Sequence, residues 1–367
     1  MATNRGCSVS ELVLGRSFRA LKIENDLLSA TVLVDKGADI YELVYKPRGI
    51  DVLWKTPWGL REQGRGVAMG FDSATLWLES YPGGWQLLFP NGGDECLYKG
   101  VRLNFHGEAS TAAWDYRVMH EGAEAAEVHL ETRLFRSPFL VERTLRVERG
   151  LPVLTLHERI CNQANEPMDY MWGHHPTVGA PFLSAACRID CGARSLLADA
   201  AYAGVANVLE PAHLYTWPTA VVPRQGVRKG AEVAGATLDL SRVPGREAER
   251  DLFGYLQDFE SGWYAITNTQ LGFGFGMVWP VEVFPYAWFW QEVLASSGFP
   301  FYKTAYTMAI EPFTSIPGQG LLAVMEKTGT HRTLAAGASV EATLRAVFYE
   351  AADGVQRIGP DGVVVVR

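Results

Sequence analysis

Glu127-Val128-His129-Leu130-Glu131-Thr132-Arg133-Leu134 alternates polar and apolar residues, which is the period-2 pattern of a half-buried β-strand. Residues 140–147 largely repeat the alternation. Residues 153–160 follow it after the turn Arg149-Gly150-Leu151-Pro152. Upstream, Ala30-Thr31-Val32-Leu33-Val34 and Asp39-Ile40-Tyr41-Glu42-Leu43-Val44-Tyr45 are further strand-like runs. Downstream, residues 271–278 alternate glycine with large residues, and residues 340–350 read as a last long strand. Thirty-seven glycines and 19 prolines punctuate these runs. Amphipathic helical windows are few, and Leu196-Leu197-Ala198-Asp199-Ala200 is too short to assign. Regular strands with turn signals and almost no helix predict an all-β sandwich or barrel-like fold.

The chain has 367 residues, 48% hydrophobic and 20% charged. A core of that size can be one large all-β unit. The expectation is a single domain over 1–367 with a loop-rich excursion at about 200–250. That excursion ends in the charged run Arg246-Glu247-Ala248-Glu249-Arg250-Asp251, expected to be solvated. The formal net charge is −8, and no basic block appears, which disfavours nucleic acid or an anionic membrane as partner. The five cysteines (7, 96, 161, 187 and 191) form no paired Cys-x-x-Cys spacing and are expected to be ordinary thiols of a reducing compartment. Residues 1–14 lack a sustained apolar run, and no segment approaches the ~18 apolar residues of a membrane helix. A soluble, cytoplasmic protein is expected.

Two short strings place ionisable side chains in sequence that otherwise reads as buried sheet: Gly173-His174-His175-Pro176 and Ala309-Ile310-Glu311-Pro312. Successive strand residues point to opposite faces, so the two histidines cannot both reach one cleft from an extended segment. His175 is assigned to the cleft. His174 is kept among the expected substrate contacts, with the far side of the sheet as its alternative. A lone buried histidine usually just satisfies its two nitrogens, but here the doublet and the other candidates favour function. His106, in Leu103-Asn104-Phe105-His106-Gly107-Glu108, precedes a glycine that leaves room for a ligand or a backbone. A plain turn histidine is an equal reading there. Glu311 is costly in an apolar run unless partnered, or it is a strand-end glutamate turned to water. Among 11 Trp, 14 Tyr and 17 Phe, Trp290 beside Gln291 and Glu292 offers a ring for a sugar face and polar groups for its hydroxyls. Core packing accounts for most of the other rings.

Other chemistries find no support. There is no Gly-x-Ser-x-Gly elbow and no Walker string. Gly272-x-Gly274-x-Gly276 lacks the later glycine and the helix of a dinucleotide fingerprint, so it reads as strand. A metal held by His106, His175 and Glu311 stays open as an alternative, but no His-x-His or His-Glu-x-x-His spacing supports it, and no cofactor is expected.

Taken together, the residues resemble the aldose 1-epimerase, or galactose mutarotase-like, superfamily over most of the chain. Lys36-Gly37-Ala38-Asp39-Ile40 resembles part of the opening strand pair. Phe89-Pro90-Asn91-Gly92-Gly93-Asp94 precedes Phe105-His106-Gly107 as the family's Asn-bearing loop precedes its His-Gly. Ile160-Cys161-Asn162-Gln163-Ala164-Asn165-Glu166-Pro167-Met168 leads into Gly173-His174-His175-Pro176. Ala309-Ile310-Glu311-Pro312 resembles the late glutamate, and Leu334-Ala335-Ala336-Gly337-Ala338-Ser339 the turn before the closing strand.

The resemblance implies a large antiparallel β-sandwich with a sugar cleft across one sheet, and a monosaccharide or sugar derivative as substrate. It implies Glu311 as general base, His175 as the acid to the ring oxygen, and His106 as a second histidine that orients or polarises the sugar. Asn91, Asp94, His174 and Trp290 are the expected substrate contacts. The chain departs from better-known members where Gly92 and Gly93 stand near their arginine, and where His175-Pro176-Thr177-Val178 replaces an aromatic-Asn continuation. Arg61 and Arg65 could meet an anionic group on the sugar, although a solvated loop is the plainer reading. The alternatives are a carbohydrate-binding protein without turnover, or a glycosidase or lyase on the same scaffold. A glycosidase would need a second carboxylate, for which Asp94, Glu108 and Glu292 are candidates.

Overall fold

The computed structural model describes residues 6–61, 72–204, 206–221 and 237–367. Twelve strands form one antiparallel sheet and eight form another. The middle of the larger sheet runs, side by side, through Asp39–Tyr45, Trp85–Leu88, Gly173–Gly179, Tyr306–Phe313, Tyr286–Val293 and Arg250–Gln257. The smaller sheet runs Cys187–Cys191, Gly262–Asn268, Phe273–Trp279, Ser339–Glu350, Val153–Asn162, Phe139–Glu148, Ala125–Arg133 and Asp115–Glu121. The fold is an all-β sandwich, as the alternation predicts. Neighbouring strands come from distant parts of the chain, so residues 130 or more positions apart meet on one face.

The alternation decides which side chains lie between the sheets. Along Phe139–Glu148 the odd residues are buried, and along Val153–Asn162 the even ones are. Two of those inward positions are charged. Arg143 and Glu158 are both almost wholly buried. Arg143 donates from Nε to Glu158 Oε1 (2.7 Å) and from Nη1 to the carbonyl of Ala38 in the larger sheet's half of the sandwich (2.9 Å). Glu158 Oε2 accepts from Trp172 Nε1 at 3.2 Å and lies 3.3 Å from His174 Nε2. Burial alone would raise the Glu158 carboxyl, but His174 and Arg143 beside it hold it down at about 2. The two sheets are thus joined by a buried, hydrogen-bonded charge cluster as well as by apolar contact.

Three regions differ from expectation. Residues 196–198 belong to the strand Ser195–Ala198, and the excursion after it is partly sheet: Leu214–Thr216 extends the larger sheet, and Thr219–Val221 pairs with Thr237–Asp239. Residues 205 and 222–236 of that excursion lie outside the described residues. The charged run 246–251 is solvated only as far as Glu249, because Arg250 and Asp251 are buried at the start of Arg250–Gln257. The described helices are short. Ser73–Ser80 is capped by Asp72, which accepts from Thr75 N (2.7 Å), and Gly320–Lys327 follows the Glu311 strand. No described helix is long and apolar enough to cross a membrane, and the five cysteines are free thiols.

Removing one partner of a buried ion pair strands the other charge, at about 3–5 kcal/mol. Arg143→Met is therefore expected to lower the urea-unfolding free energy by about that much, and Arg143→Met combined with Glu158→Leu to recover most of it. A single-variant loss under about 1 kcal/mol would show that the pair does not brace the sandwich. Glu158 lies below its ordinary 4.5 in the folded state, so its contribution is full above that pH and is lost as pH falls toward about 2. The double variant should lose less stability than the parent across that acid window.

Candidate active site

The site is made by strand register. Gly173 pairs with Phe313 and Thr177 with Ala309, which puts His175 level with Glu311. On its other side His175 pairs with Gln86, and Glu311 pairs with Trp288, which in turn pairs with Tyr255. Directly opposed residues share a face. One row across the sheet therefore reads Gln86, His175, Glu311, Trp288, Tyr255. The next row contains Ala309, Trp290 and Phe253 through the pairs Ala309–Trp290 and Trp290–Phe253.

From these rows His175, Glu311, Trp288, Trp290 and Phe253 line a cleft of about 410 Å³. His175 Nε2 lies 3.8 Å from Glu311 Oε1. Glu311 Oε2 and His175 Nδ1 are buried without a hydrogen-bond partner. Burial pushes the Glu311 carboxyl well above its usual value and the His175 imidazole down to about 4. Both shifts favour the uncharged forms of the two groups.

His106 enters from a turn. Its backbone is left-handed (φ 58°), and the following Gly107 (φ 79°) lets the chain pass so close to Phe89 and Asn91 that a Cβ there would sit 2.5 Å from the Phe89 carbonyl oxygen. The glycine serves a close backbone. His106 Nδ1 accepts from Gly93 N at 3.1 Å, and His106 N donates to Gly93 O at 3.0 Å. With Nδ1 an acceptor, Nε2 carries the proton and is a donor. The His106 and His175 rings are 5.5 Å apart. Burial, with His175 and Lys36 adding to it, pushes His106 well below 6.5. Lys36 is itself buried in an ion pair with Asp39, which also accepts from Gln86 Nε2 (3.0 Å).

The walls are aromatic. Trp77 from the Ser73–Ser80 helix packs edge-on to His106, with centroids 4.6 Å apart. Tyr81, Phe105, Tyr202 and Phe301 complete them, and Asp94 and Gln319 bring polar groups. Behind the wall, Gln319 Nε2 donates to Asp199 Oδ2 (2.9 Å), which also accepts from the Tyr255 hydroxyl.

Of the residues expected at the site, Glu311, His175, His106, Asp94 and Trp290 line this cleft. Two do not. His174 faces the sandwich interior, where Nδ1 accepts from Trp85 Nε1 (3.2 Å) and Nε2 meets Glu158. Asn91 is wholly buried as a loop tie. Its Nδ2 donates to the carbonyls of Asp94 (2.8 Å) and Asn104 (3.0 Å), and its Oδ1 accepts from Leu321 N (2.7 Å).

The carboxylates of Glu292 and Glu108 are also committed. Glu292 accepts from Ala295 N and Ser296 N, and Glu108 from Phe135 N and Arg136 N. Arg65 lies outside the described residues. The His/acid grouping close enough to share an ion, among the described residues, is His129, Glu131 and Glu142 on the outer face of the smaller sheet, away from these side chains. Sequence reading missed Trp77, Tyr202, Phe301 and Gln319. Trp288 was findable, because it stands two residues before Trp290 on the same strand face.

The sandwich has the galactose mutarotase-like fold, on which solved structures agree. A candidate aldose 1-epimerase from Klebsiella pneumoniae superposes with a TM-score of 0.63 at 16% identity, covering 95% of this chain and 88% of that one. A galactose mutarotase-like protein from Clostridium acetobutylicum gives 0.62 at 14%, covering 94% and 99%. Another from Lactobacillus casei gives 0.57 at 17%, covering 90% and 100%. Within that architecture, residues 15–234 match the family model described as a domain of unknown function, DUF4432, and the chain belongs to that family. No curated protein matches it.

Asn91→Ala would leave two loop carbonyls, of Asp94 and Asn104, and the Leu321 N–H in the first turn of the Gly320–Lys327 helix without this partner. The expected cost is about 1–3 kcal/mol, read by urea unfolding. A stability loss near zero would overturn the tying role.

Proposed function

We propose that the cleft interconverts the α and β anomers of a neutral reducing sugar. The observation that carries this reading is the cross-strand pair Glu311–His175, 3.8 Å apart on the floor of an aromatic cleft with the His106 donor beside it. Anomerisation needs one group to take the proton of the anomeric hydroxyl while another protonates the ring oxygen. A pair holding a single proton supplies both.

The anomeric hydroxyl donates to the Glu311 carboxyl, which lacks any other hydrogen bond to oppose it. Hydrogen bonds to a carboxylate favour its charged form, so the resting proton passes to His175. Glu311 then removes the hydroxyl proton, the C1–O5 bond breaks to give the aldehyde, and His175 protonates the departing ring oxygen. The aldehyde turns about C1–C2. Closure reverses the transfers on the other face and restores the pair. His106 Nε2–H orients a sugar oxygen. The sugar is neutral because the described lining holds Asp94 and no lysine or arginine. The aromatic walls suit its C–H faces.

A positioned acid or base is worth ~10²–10⁴-fold. Glu311→Gln and His175→Asn are each expected to slow mutarotation by at least about 100-fold, measured by polarimetry on freshly dissolved sugars, with unchanged circular dichroism. A Glu311→Gln protein that anomerises at the parent rate would refute the assignment, and sugar binding that persists with no anomerisation in the parent would make it a binding protein.

The pH profile of kcat/KM should be flat while the pair holds one proton. Activity falls as pH drops through about 4, where a second proton adds at His175. It falls again as pH rises through the elevated Glu311 value, where the only proton leaves. These limbs belong to the pair as a unit.

A further inference from the structure

A second hollow of about 370 Å³ adjoins the cleft. Pro57, Trp58, Arg61, Phe299 and Tyr302 line it, and it shares Leu78 and Pro300 with the cleft as a common ridge. An aromatic run connects the two. Trp290 is 6.0 Å from Phe301, and Phe301 stacks on Trp58 at 6.3 Å with 22° between the rings. Trp58 is fixed in place, its Nε1 donating to Tyr81 O at 2.9 Å.

The loop that presents Phe299 and Tyr302 is built rather than slack. Glu292 accepts from Ala295 N and Ser296 N at its base. Tyr302 N donates to Gly298 O and Lys303 N to Ser296 O, both at 2.7 Å. Tyr302 and Lys303 adopt left-handed backbone (φ 46° and 58°), an unfavourable conformation for non-glycine residues that persists where the surroundings enforce it. The result holds two large apolar side chains in water, Phe299 at 57% and Tyr302 at 66% exposure. Contiguous exposed apolar surface beside a cleft marks a contact site.

We propose that this hollow is a second sugar subsite, and that the substrate is a reducing disaccharide whose reducing ring occupies the cleft. The inference rests on the anomerase reading. Anomerisation requires a free C1 hydroxyl, so an extension of the substrate must leave from another ring oxygen, and a glycosidically linked second pyranose does so. Its C–H face meets Tyr302, Phe299 and Trp58, and Arg61 and Glu79 at the edge serve its hydroxyls.

The test compares glucose and galactose with maltose, cellobiose, lactose and melibiose in the intact protein and in Phe299→Ala/Tyr302→Ala, following mutarotation by polarimetry. At least one disaccharide should show a KM about tenfold below its monosaccharide, and the double variant should erase that advantage, with monosaccharide kcat and KM within about twofold of the parent. Equal KM values for every pair, or variant effects shared by monosaccharides, would overturn the subsite. Saturation-transfer NMR with methyl β-cellobioside reads the hollow without turnover. Signal on the non-reducing ring that disappears in the variant supports the subsite, and no signal on that ring overturns it. Absence of mutarotation with any sugar, alongside such signal, would sink the anomerase reading and leave the subsite standing.

Discussion

The register of Gly173–Gly179 against Tyr306–Phe313 is the constraint on which the site depends. A slip of one residue in a strand turns every side chain to the opposite face. Here it would withdraw His175 from Glu311 and drive His174 into the cleft. The far face guards against that. His174 is held between Trp85 and Glu158, and Glu158 is tied by Arg143 to the Ala38 carbonyl. A histidine in the wrong register would leave Glu158 buried with only Arg143 and Trp172 of its three partners. The adjacent histidines thus divide the work. His174 specifies the alignment that sets His175 against Glu311.

The same contrast separates two carboxyls in neighbouring layers of the sandwich. Glu158 and Glu311 are equally buried. Glu158 has a guanidinium, an indole N–H and an imidazole around it and is held at about 2. Glu311 has one imidazole at 3.8 Å and a partnerless oxygen, and burial pushes it up. Environment, not residue type, fixes one as a structural anion and leaves the other able to carry a proton. Unsatisfied polar atoms are rare in folded interiors. Glu311 Oε2 and His175 Nδ1 are two of them, so neither group of the pair is tied down by the protein as Glu158 is.

Much of this was legible in the chain, and the misses have physical causes. Alternation over residues 127–160 gave the sandwich because each of those strands has one wet face, so its period survives in the sequence. The large sheet's central strands are buried on both sides, as in the uniformly buried Gly173–Gly179 and Tyr306–Phe313. Period 2 is invisible there, and the face of His174 could not be read. Asn91 failed for another reason: an asparagine in a polar loop looks the same whether its amide meets a ligand or ties backbone. Arg143 and Glu158 carried a signal that went unread, since each breaks an otherwise apolar inward series. Trp77 and Phe301 came from a short helix and a loop, where no periodicity points at a cleft.

The glycines at 92 and 93 connect the loop to the kind of ligand the cleft can take. Trp288 and Phe313 stack face to face, with centroids 3.8 Å apart and planes 3° from parallel, and Trp288 Nε1 is anchored on Ser315 O (2.9 Å). The loop backbone descends onto that stack. A Cβ at position 92 would lie 2.3 Å from Phe313 Cζ, and one at 93, where φ is 71°, 1.8 Å from the Gly318 carbonyl oxygen. No side chain fits at either position without moving a ring or the backbone that leads into the Gly320–Lys327 helix. A cationic side chain at this place and the Trp288–Phe313 stack therefore exclude one another. The chain has settled on the stack. Polar selection then falls to His106, Asp94 and Gln319, while apolar faces supply the contact area. That division favours a ligand recognised by its ring faces and a few directed hydroxyls over one recognised by charge.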